Sequence, residues 1–314
     1  VSWGIMFYGF AVFIKPLTEE FGWSKAEITG AFTLCLLISG FASISAGSIL
    51  DRFGGRWLMT GASFLGVVLL LAASFTDTLV SYYMVWIGIG LVTASTFYPS
   101  GFAVVVATLG SRARQGVTLM TLIAGFASTV FIPLISLLID QVGWRDSFLY
   151  LGLILLAVCV PIHAIVLAKE RVPGAGSTGR PRIFTIDLKS GPVAAGIRNP
   201  AFWWIGTCFT ANSFVMAGVT VHIIPLMLER GFTMATVIGT TAMIGPMQVS
   251  GRIFVTIFEK WINFRAAGLI SSVFLLIGFA LLGFAQPDNY LNFIFPIFYG
   301  ASLGIITIVR ALAV

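Results

Sequence analysis

Charged side chains are scarce in this chain of 314 residues, and their scarcity decides the class of protein. Only 10% of the residues are Asp, Glu, Lys or Arg, whereas 58% are hydrophobic and the mean hydropathy is +1.00. In soluble domains about a quarter of the residues are charged, because the surface must be compatible with water. The composition therefore excludes a soluble enzyme, a disordered protein and a coiled coil, and it predicts an all-α membrane protein.

Cysteine is almost absent, and motifs for enzyme chemistry are missing. The three cysteines, Cys35, Cys159 and Cys208, all lie in apolar runs, so we expect neither a disulfide framework nor a metal site. The sequence contains no phosphate-binding G-x-x-x-x-G-K-[ST] loop and no nucleophile elbow. We therefore expect a protein that is not an enzyme and that needs no cofactor.

Basic residues give a net charge of +6, but they occur in short clusters between apolar runs. A nucleic-acid-binding protein gathers its basic residues on one exposed face, so no nucleic-acid partner is expected. Twelve Lys and Arg residues fall on one side of the predicted membrane, and only Lys25, Arg145 and Arg230 fall on the other. The positive-inside rule then places the amino terminus in the cytoplasm. We expect a multi-pass protein of the plasma (inner) membrane.

Apolar runs bounded by charged or turn residues predict ten membrane spans. A polar segment rich in Gly, Pro and basic residues separates the sixth span from the seventh. The predicted organisation is a six-helix bundle at 1–168, a cytoplasmic linker at 169–200 and four helices of a second bundle at 201–314. Two further spans would complete the second bundle, so the chain is interpreted as a fragment. The ten spans are 1–17, 27–50, 57–75, 79–109, 117–140, 148–168, 201–228, 234–258, 266–286 and 290–314.

The loop after the second span is GSILDRFGGR, from Gly47 to Arg56. Gly47 lies four residues before Asp51, which would let another helix approach closely. The alternative is an ordinary basic loop on the cytoplasmic side. The full pattern G-x-x-x-D-R-x-G-x-R resembles the loop signature of the major facilitator superfamily, in the place where that family has it. The resemblance implies a gating latch formed by Gly47, Asp51, Arg52, Gly54 and Arg56.

The resemblance also implies the major facilitator fold, with two pseudo-symmetric six-helix bundles around a central cavity, and a monomeric carrier that works by alternating access. Two further segments, KPLTEEFGWS at 15–24 and GWRDS at 143–147, resemble the monocarboxylate carrier and oxalate–formate exchanger group. Two markers of proton-linked drug exporters in the same superfamily are absent, because the fourth span has no Arg and the fifth has no Gly-Gly.

The eighth span contains GPMQVSGR at 245–252, which is similar to the eighth span of that carrier group. In the group an acidic residue and an Arg lie four residues apart; the Arg holds the substrate carboxylate and the acid assists proton coupling. Here Arg252 keeps the position of the Arg, whereas Gln248 replaces the acid. Because Gln does not titrate, either another group carries the proton or the carrier exchanges anions.

Polar residues inside the spans are the candidate site residues, because each needs a cavity or a partner there. Each also has a structural alternative: Arg252 and Lys15 can snorkel to the interface, Gln248 can bridge helices, and His222 can be a neutral, hydrogen-bonded histidine. If protons are coupled, His222 is the expected carrier. The predicted substrate-binding residues are Arg252, Gln248, His222, Asn212 and Tyr98, and the predicted outer vestibule contains Lys15 and Tyr8.

Taken together, the resemblance implies a secondary transporter for a small organic anion that resembles a monocarboxylate, with or without protons as a second cargo. One alternative keeps the fold and changes the cargo to a neutral or cationic solute, such as a drug or a sugar. Another is a sensor built on a carrier fold that transports nothing.

Overall fold

The described part of the chain is helical apart from its turns. The structure is a computed structural model, and it describes residues 1–167, 196–258 and 261–312. Most of the predicted linker, residues 168–195, therefore lies outside the described residues. A π-helical turn at Gly4–Tyr8 precedes the first α-helix, and a 3-10 turn at Gly110–Arg112 follows the fifth. The helices are α1 (Phe10–Phe21), α2 (Lys25–Phe53), α3 (Gly55–Ser74), α4 (Leu79–Thr96), α5 (Tyr98–Leu109), α6 (Ala113–Gly125), α7 (Ala127–Val166), α8 (Pro200–Glu229), α9 (Met234–Ile257), α10 (Phe264–Phe284) and α11 (Leu291–Leu312).

Seven helical segments of the described chain are long and apolar enough to cross a membrane. Two regions where the sequence predicts a span do not qualify: α1 has only 12 residues, and α9 carries Gln248 and Arg252. One of the seven, Gln115–Val166, covers two predicted spans. The count of ten spans and the pair of six-helix bundles thus remain predictions. The seven segments are Lys25–Phe53, Gly55–Ser74, Leu79–Arg112, Gln115–Val166, Pro200–Glu229, Arg265–Phe284 and Leu291–Val309.

Two glycines with positive φ interrupt long helical stretches. Gly54 (φ 80°, ψ 164°) separates α2 from α3, and Gly143 (φ 81°, ψ 167°) breaks α7. Residues that carry a side chain rarely adopt this backbone conformation, whereas glycine adopts it freely because it has no Cβ. The helix therefore kinks at Gly143, between the predicted fifth and sixth spans, with the same backbone conformation that separates α2 from α3 at Gly54.

The N-terminal half (residues 1–167) meets the C-terminal half (residues 196–312) along a few helices. Helix α7 packs along α9, α1 packs on α8, and α6 contacts both α9 and α11. Small residues permit these approaches: a Cβ built on Gly245 would overlap Thr129 and the Gly125 carbonyl of the other half. The interface is therefore close-packed at the level where α7 crosses α9.

An ion-pair network ties together the ends of α1, α3 and the second part of α7. Arg145 Nη2 lies 2.9 Å from Glu20 and 2.8 Å from Asp77, and Arg145 Nη1 donates to the Ser74 carbonyl at 3.0 Å. These groups lie on the side of the membrane predicted to be outer. On the same side, Lys25 pairs with Glu229 and so links the N-terminal half to the C-terminal half.

Candidate functional site

Arg252 lies on α9, and its side chain is turned inward. The residue is 1% exposed, so it does not snorkel to the interface. Its Nη1 donates to the Thr121 carbonyl on α6, and its Nη2 lies 3.4 Å from the Gln248 side-chain oxygen. Its Nε has no hydrogen-bond partner among the described residues, and no carboxylate in that part of the chain lies within ion-pair distance of the guanidinium. Arg252 is thus a buried cation that carries unsatisfied donor capacity.

Gln248 lies one helical turn before Arg252 and links the two halves. Its Nε2 donates to the Tyr8 hydroxyl at 3.0 Å. Both residues are buried, and Tyr8 ends the π-helical turn of the N-terminal half. Because the amide oxygen of Gln248 faces Arg252 while its nitrogen faces Tyr8, the amide aligns the guanidinium with the phenol.

A cavity of about 50 Å³ brings these groups together; we call it the central chamber. Five of the seven residues predicted for the substrate site and the outer vestibule line it: Tyr8, Tyr98, Asn212, Gln248 and Arg252. The walls come from both halves, and they also include Trp3 and Thr307, which the sequence analysis did not single out. The chamber is amphipathic, with one cation and several hydrogen-bonding side chains set among aromatic and aliphatic groups.

The other two predicted residues lie elsewhere. His222 on α8 is exposed and does not line the central chamber. The ammonium of Lys15 lies 3.8 Å from Glu19 and is half exposed. Lys15 lines a separate cavity of about 300 Å³, which we call the outer groove, together with Lys25 and Glu229.

The loop from Gly47 to Arg56 is exposed at its charged positions. Asp51, Arg52 and Arg56 are all exposed, and none of them forms an ion pair with another residue in the described ranges. Arg52 instead lies over the Phe53 ring. No described atom lies within 4 Å of a Cβ built on Gly47, so the close helix approach expected there does not occur in this conformation.

A third cavity, of about 10 Å³, lies between the other two, and sequence reasoning missed it; we call it the hydroxyl chamber. Ser128, Thr220, Thr241 and Tyr299 line it together with Tyr8. Single Ser, Thr and Tyr residues in apolar spans give no distinctive signal, since such residues commonly bond to their own helix. Their convergence becomes visible only in three dimensions.

Comparisons with known proteins agree with this architecture. The sequence profile of the Major Facilitator Superfamily matches residues 2–314. The oxalate:formate antiporter of Oxalobacter formigenes is 26% identical over 224 residues, which cover 66% of this chain and 48% of the antiporter. Monocarboxylate transporter 7 of Homo sapiens is 30% identical over 157 residues, which cover 48% of this chain and 29% of that protein. The chain thus spans less than half the length of these two relatives.

A solved structure shows the same fold at lower sequence identity. The crystal structure of the nucleoside transporter NupG (D323A mutant) matches with a TM-score of 0.67 at 15% identity. The match covers 100% of this chain and 79% of that one. At this identity the likeness concerns the fold and carries no information about the cargo.

Proposed function

The chain belongs to the Major Facilitator Superfamily, and from that premise we propose that it is a secondary transporter that moves a small organic anion, similar to a monocarboxylate, by alternating access. The observation that carries the proposal is Arg252, a buried cation without a described counter-charge on the wall of a cavity between the two halves. Burying an unpaired charge costs several kcal/mol. A bound carboxylate would offset this cost, because its two oxygens match the planar fork of a guanidinium.

The names of the relatives support an organic anion as cargo. One relative is an oxalate:formate antiporter and another is a monocarboxylate transporter. Oxalate, formate and monocarboxylates share the carboxylate group that suits Arg252. The same group of carriers was indicated by the segments around Lys15, Gly143 and Gly245.

The size of the central chamber favours a small cargo over a drug. Its volume of about 50 Å³ is far below the roughly 300–1,000 Å³ of sites for drug-sized ligands. A carboxylate with few carbon atoms needs little additional space when the halves separate. A large cationic solute would need both a much larger chamber and the removal of the positive charge of Arg252.

Exchange of anions fits the central chamber better than proton symport. Among the described residues that line it, none is Asp, Glu or His. Without an anion, the carrier would have to pass through its occluded state with Arg252 as a bare, desolvated charge, which is costly. With an anion bound, the pair is neutral. We therefore expect the loaded carrier to change conformation faster than the empty one.

We place the protein in the plasma (inner) membrane. In the proposed orientation, the cytoplasmic side carries the amino terminus, the Gly47–Arg56 loop and the linker at 169–200. In this proposal, residues 1–168 form the N-terminal six-helix bundle, and residues 201–314 form four helices of the C-terminal bundle. In this proposal the Lys25–Glu229 pair closes the outer side, and the loop from Gly47 to Arg56 forms no ion pair within the described ranges. In this proposal the loop is the latch that engages when the cytoplasmic side closes.

The test is uptake of labelled small carboxylates into proteoliposomes that contain the full-length protein. Arg252→Ala should abolish uptake, and Arg252→Lys should impair it strongly, because an ammonium lacks the planar fork. Arg198→Ala is the matched control: Arg198 is exposed, and its removal should leave uptake unchanged. Uptake by Arg252→Ala equal to that of the unmodified protein would refute the site. Competition by neutral or cationic solutes, and not by carboxylates, would refute the cargo.

A further inference from the structure

Three cavities follow one another along the interface between the two halves. The outer groove shares Ala11 and Ile224 with the hydroxyl chamber. The hydroxyl chamber in turn shares Tyr8 and Leu303 with the central chamber. The shared wall residues place the three cavities in order from the Lys25–Glu229 side of the molecule towards Arg252. The hydroxyl chamber, at about 10 Å³, is the smallest of the three.

Two side chains in the hydroxyl chamber have no partner. Ser128 is 0% exposed and Tyr299 is 1% exposed, and neither hydroxyl has a hydrogen-bond partner among the described residues. Thr241 in the same chamber is satisfied, since its hydroxyl donates to the Val237 carbonyl at 2.8 Å. Leaving a buried hydroxyl unpaired disfavours the folded state, and such groups in native proteins call for an explanation. Two of them on one small cavity, which Thr220 also lines, indicate a site for a polar guest, either water or a ligand.

The two hydroxyls do not belong to the Arg252 site itself. Thr241 precedes Arg252 by 11 residues on α9, which corresponds to about 16 Å along a helix axis. Tyr299 precedes Thr307, a wall residue of the central chamber, by eight residues on α11, or about 12 Å. Neither Ser128 nor Tyr299 lines the central chamber, and the two chambers meet only at Tyr8 and Leu303.

We propose that Ser128 and Tyr299 form a second binding station for the carboxylate, on its path between the outer groove and Arg252. The proposal rests on the function proposed above. Two hydroxyl donors can each give a hydrogen bond to a carboxylate oxygen, and they replace part of the water that the anion loses. Because hydroxyls carry no charge, this station binds more weakly than Arg252, so the anion moves on. In the present conformation the station has room for about one water molecule, and it widens when α1 separates from α8.

The first test compares Ser128→Ala, Tyr299→Phe and the double variant in proteoliposomes, with radiolabelled pyruvate as the probe. Each lost hydrogen bond should lower the exchange rate by about three- to tenfold. The equilibrium affinity for pyruvate in detergent should change less than twofold, because Arg252 is intact. Tyr82→Phe is the matched control: Tyr82 also has a buried, unpartnered hydroxyl, but it lies in the core of the N-terminal half and lines none of the three cavities.

Two outcomes of this test would overturn the proposal. Exchange rates in the three variants equal to that of Tyr82→Phe would mean that the hydroxyls do not contact the cargo. A parallel loss of affinity and rate would mean that they only support the Arg252 site. If Arg252→Ala transports pyruvate normally, the proposed function itself fails, and the two failures are thus distinguished.

The second test uses chemical accessibility in a variant whose native cysteines are replaced. Ser128→Cys should react with a negatively charged, membrane-impermeant thiol reagent added from outside, and pyruvate should protect it. Ser147→Cys is the control, since Ser147 is fully buried away from the three cavities and donates to the Gly143 carbonyl. Absence of reaction at position 128 during exchange, or equal reaction at both positions, would contradict a path through the hydroxyl chamber.

Discussion

Replacing Gln248 with Glu should convert the carrier into one that depends on protons. Gln248 Oε1 lies 3.4 Å from Arg252 Nη2, so an ionised carboxylate at this position would stand in direct contact with the guanidinium. At this separation the attraction is about 1 kcal/mol for the dielectric constant of water and about 5 kcal/mol for an effective value of 20, which describes buried sites in proteins as well. The substrate anion would have to compete with that internal partner.

The expected loss of substrate affinity follows from these energies. Each 1.4 kcal/mol corresponds to a factor of ten, so the ionised Gln248→Glu variant should bind its substrate between about tenfold and a few thousandfold more weakly. Protonation of the new carboxyl removes the competing charge. Transport by the variant should therefore rise as the pH falls, whereas transport by the unmodified protein should change little over the same range.

The assay is uptake of a labelled carboxylate into proteoliposomes at a series of pH values, with pH held equal on both sides. Gln248→Leu is the control, because it removes the hydrogen bonds to Tyr8 and Arg252 without adding a charge. It should lower transport without creating a pH dependence. If Gln248→Glu and Gln248→Leu show the same pH profile, the reasoning about a competing charge beside Arg252 is wrong.

Three further predictions concern packing and charge. Reversing one charge of the exposed Lys25–Glu229 pair should increase labelling of the outer groove by no more than about fivefold, since exposed pairs contribute about 0–1 kcal/mol; the double exchange of charges should restore the original labelling. Gly304→Ala should lower thermal stability by about 1–3 kcal/mol, because a Cβ there would overlap the Gln248 backbone. Gly239→Ala on α9, where a Cβ meets nothing within 4 Å, should not lower the melting temperature and should raise it slightly, because alanine favours the helix more than glycine does. Arg145→Gln should lower the melting temperature in detergent, because it removes two ion pairs and leaves Glu20 at the end of α1 and Asp77 in the turn after α3 without their cation; an unchanged melting temperature would mean that this network does not stabilise the fold.

Hydropathy and the positions of charges were enough to predict an all-helical membrane protein, because the bilayer leaves few options for the backbone. The loop motif and the GPMQVSGR segment were enough to identify the family. The number of spans was harder to predict. Helix α9 is the clearest example: it carries Gln248 and Arg252 because it faces a chamber, and the same polar residues lower its hydropathy.

The candidate site could be predicted where a residue is unusual for a membrane span. Arg252, Gln248 and Asn212 stand out against an apolar background, and they line one chamber with Tyr8 and Tyr98. His222 stands out equally, yet its place on the surface of α8 depends on which face of that helix is turned inward, and an apolar helix has no periodicity from which to predict this.

Ser128 and Tyr299 could not be predicted, because their significance depends on hydrogen bonds that are missing. A serine in a helix normally donates to a carbonyl of the preceding turn, so the sequence gives no reason to suspect Ser128. Only the folded structure shows that neither its hydroxyl nor that of Tyr299 has a hydrogen-bond partner among the described residues, and that both residues line one cavity.

Gly54 and Gly143 share one backbone conformation, and this similarity bears on the free-energy difference between the two end states of the proposed carrier. The segments DRFGGR (51–56) and DQVGWR (140–145) share the pattern D-x-x-G-x-R, and their central glycines adopt the same conformation. They lie at opposite predicted faces of the membrane, as expected for two three-helix units related by inversion. At one face Arg145 forms ion pairs with Glu20 and Asp77, while at the other Arg56 is exposed and forms no ion pair in the described ranges. Under the proposed function, we expect two end states that close with the same local structure to differ little in free energy, so that the binding of one small anion shifts the population between them.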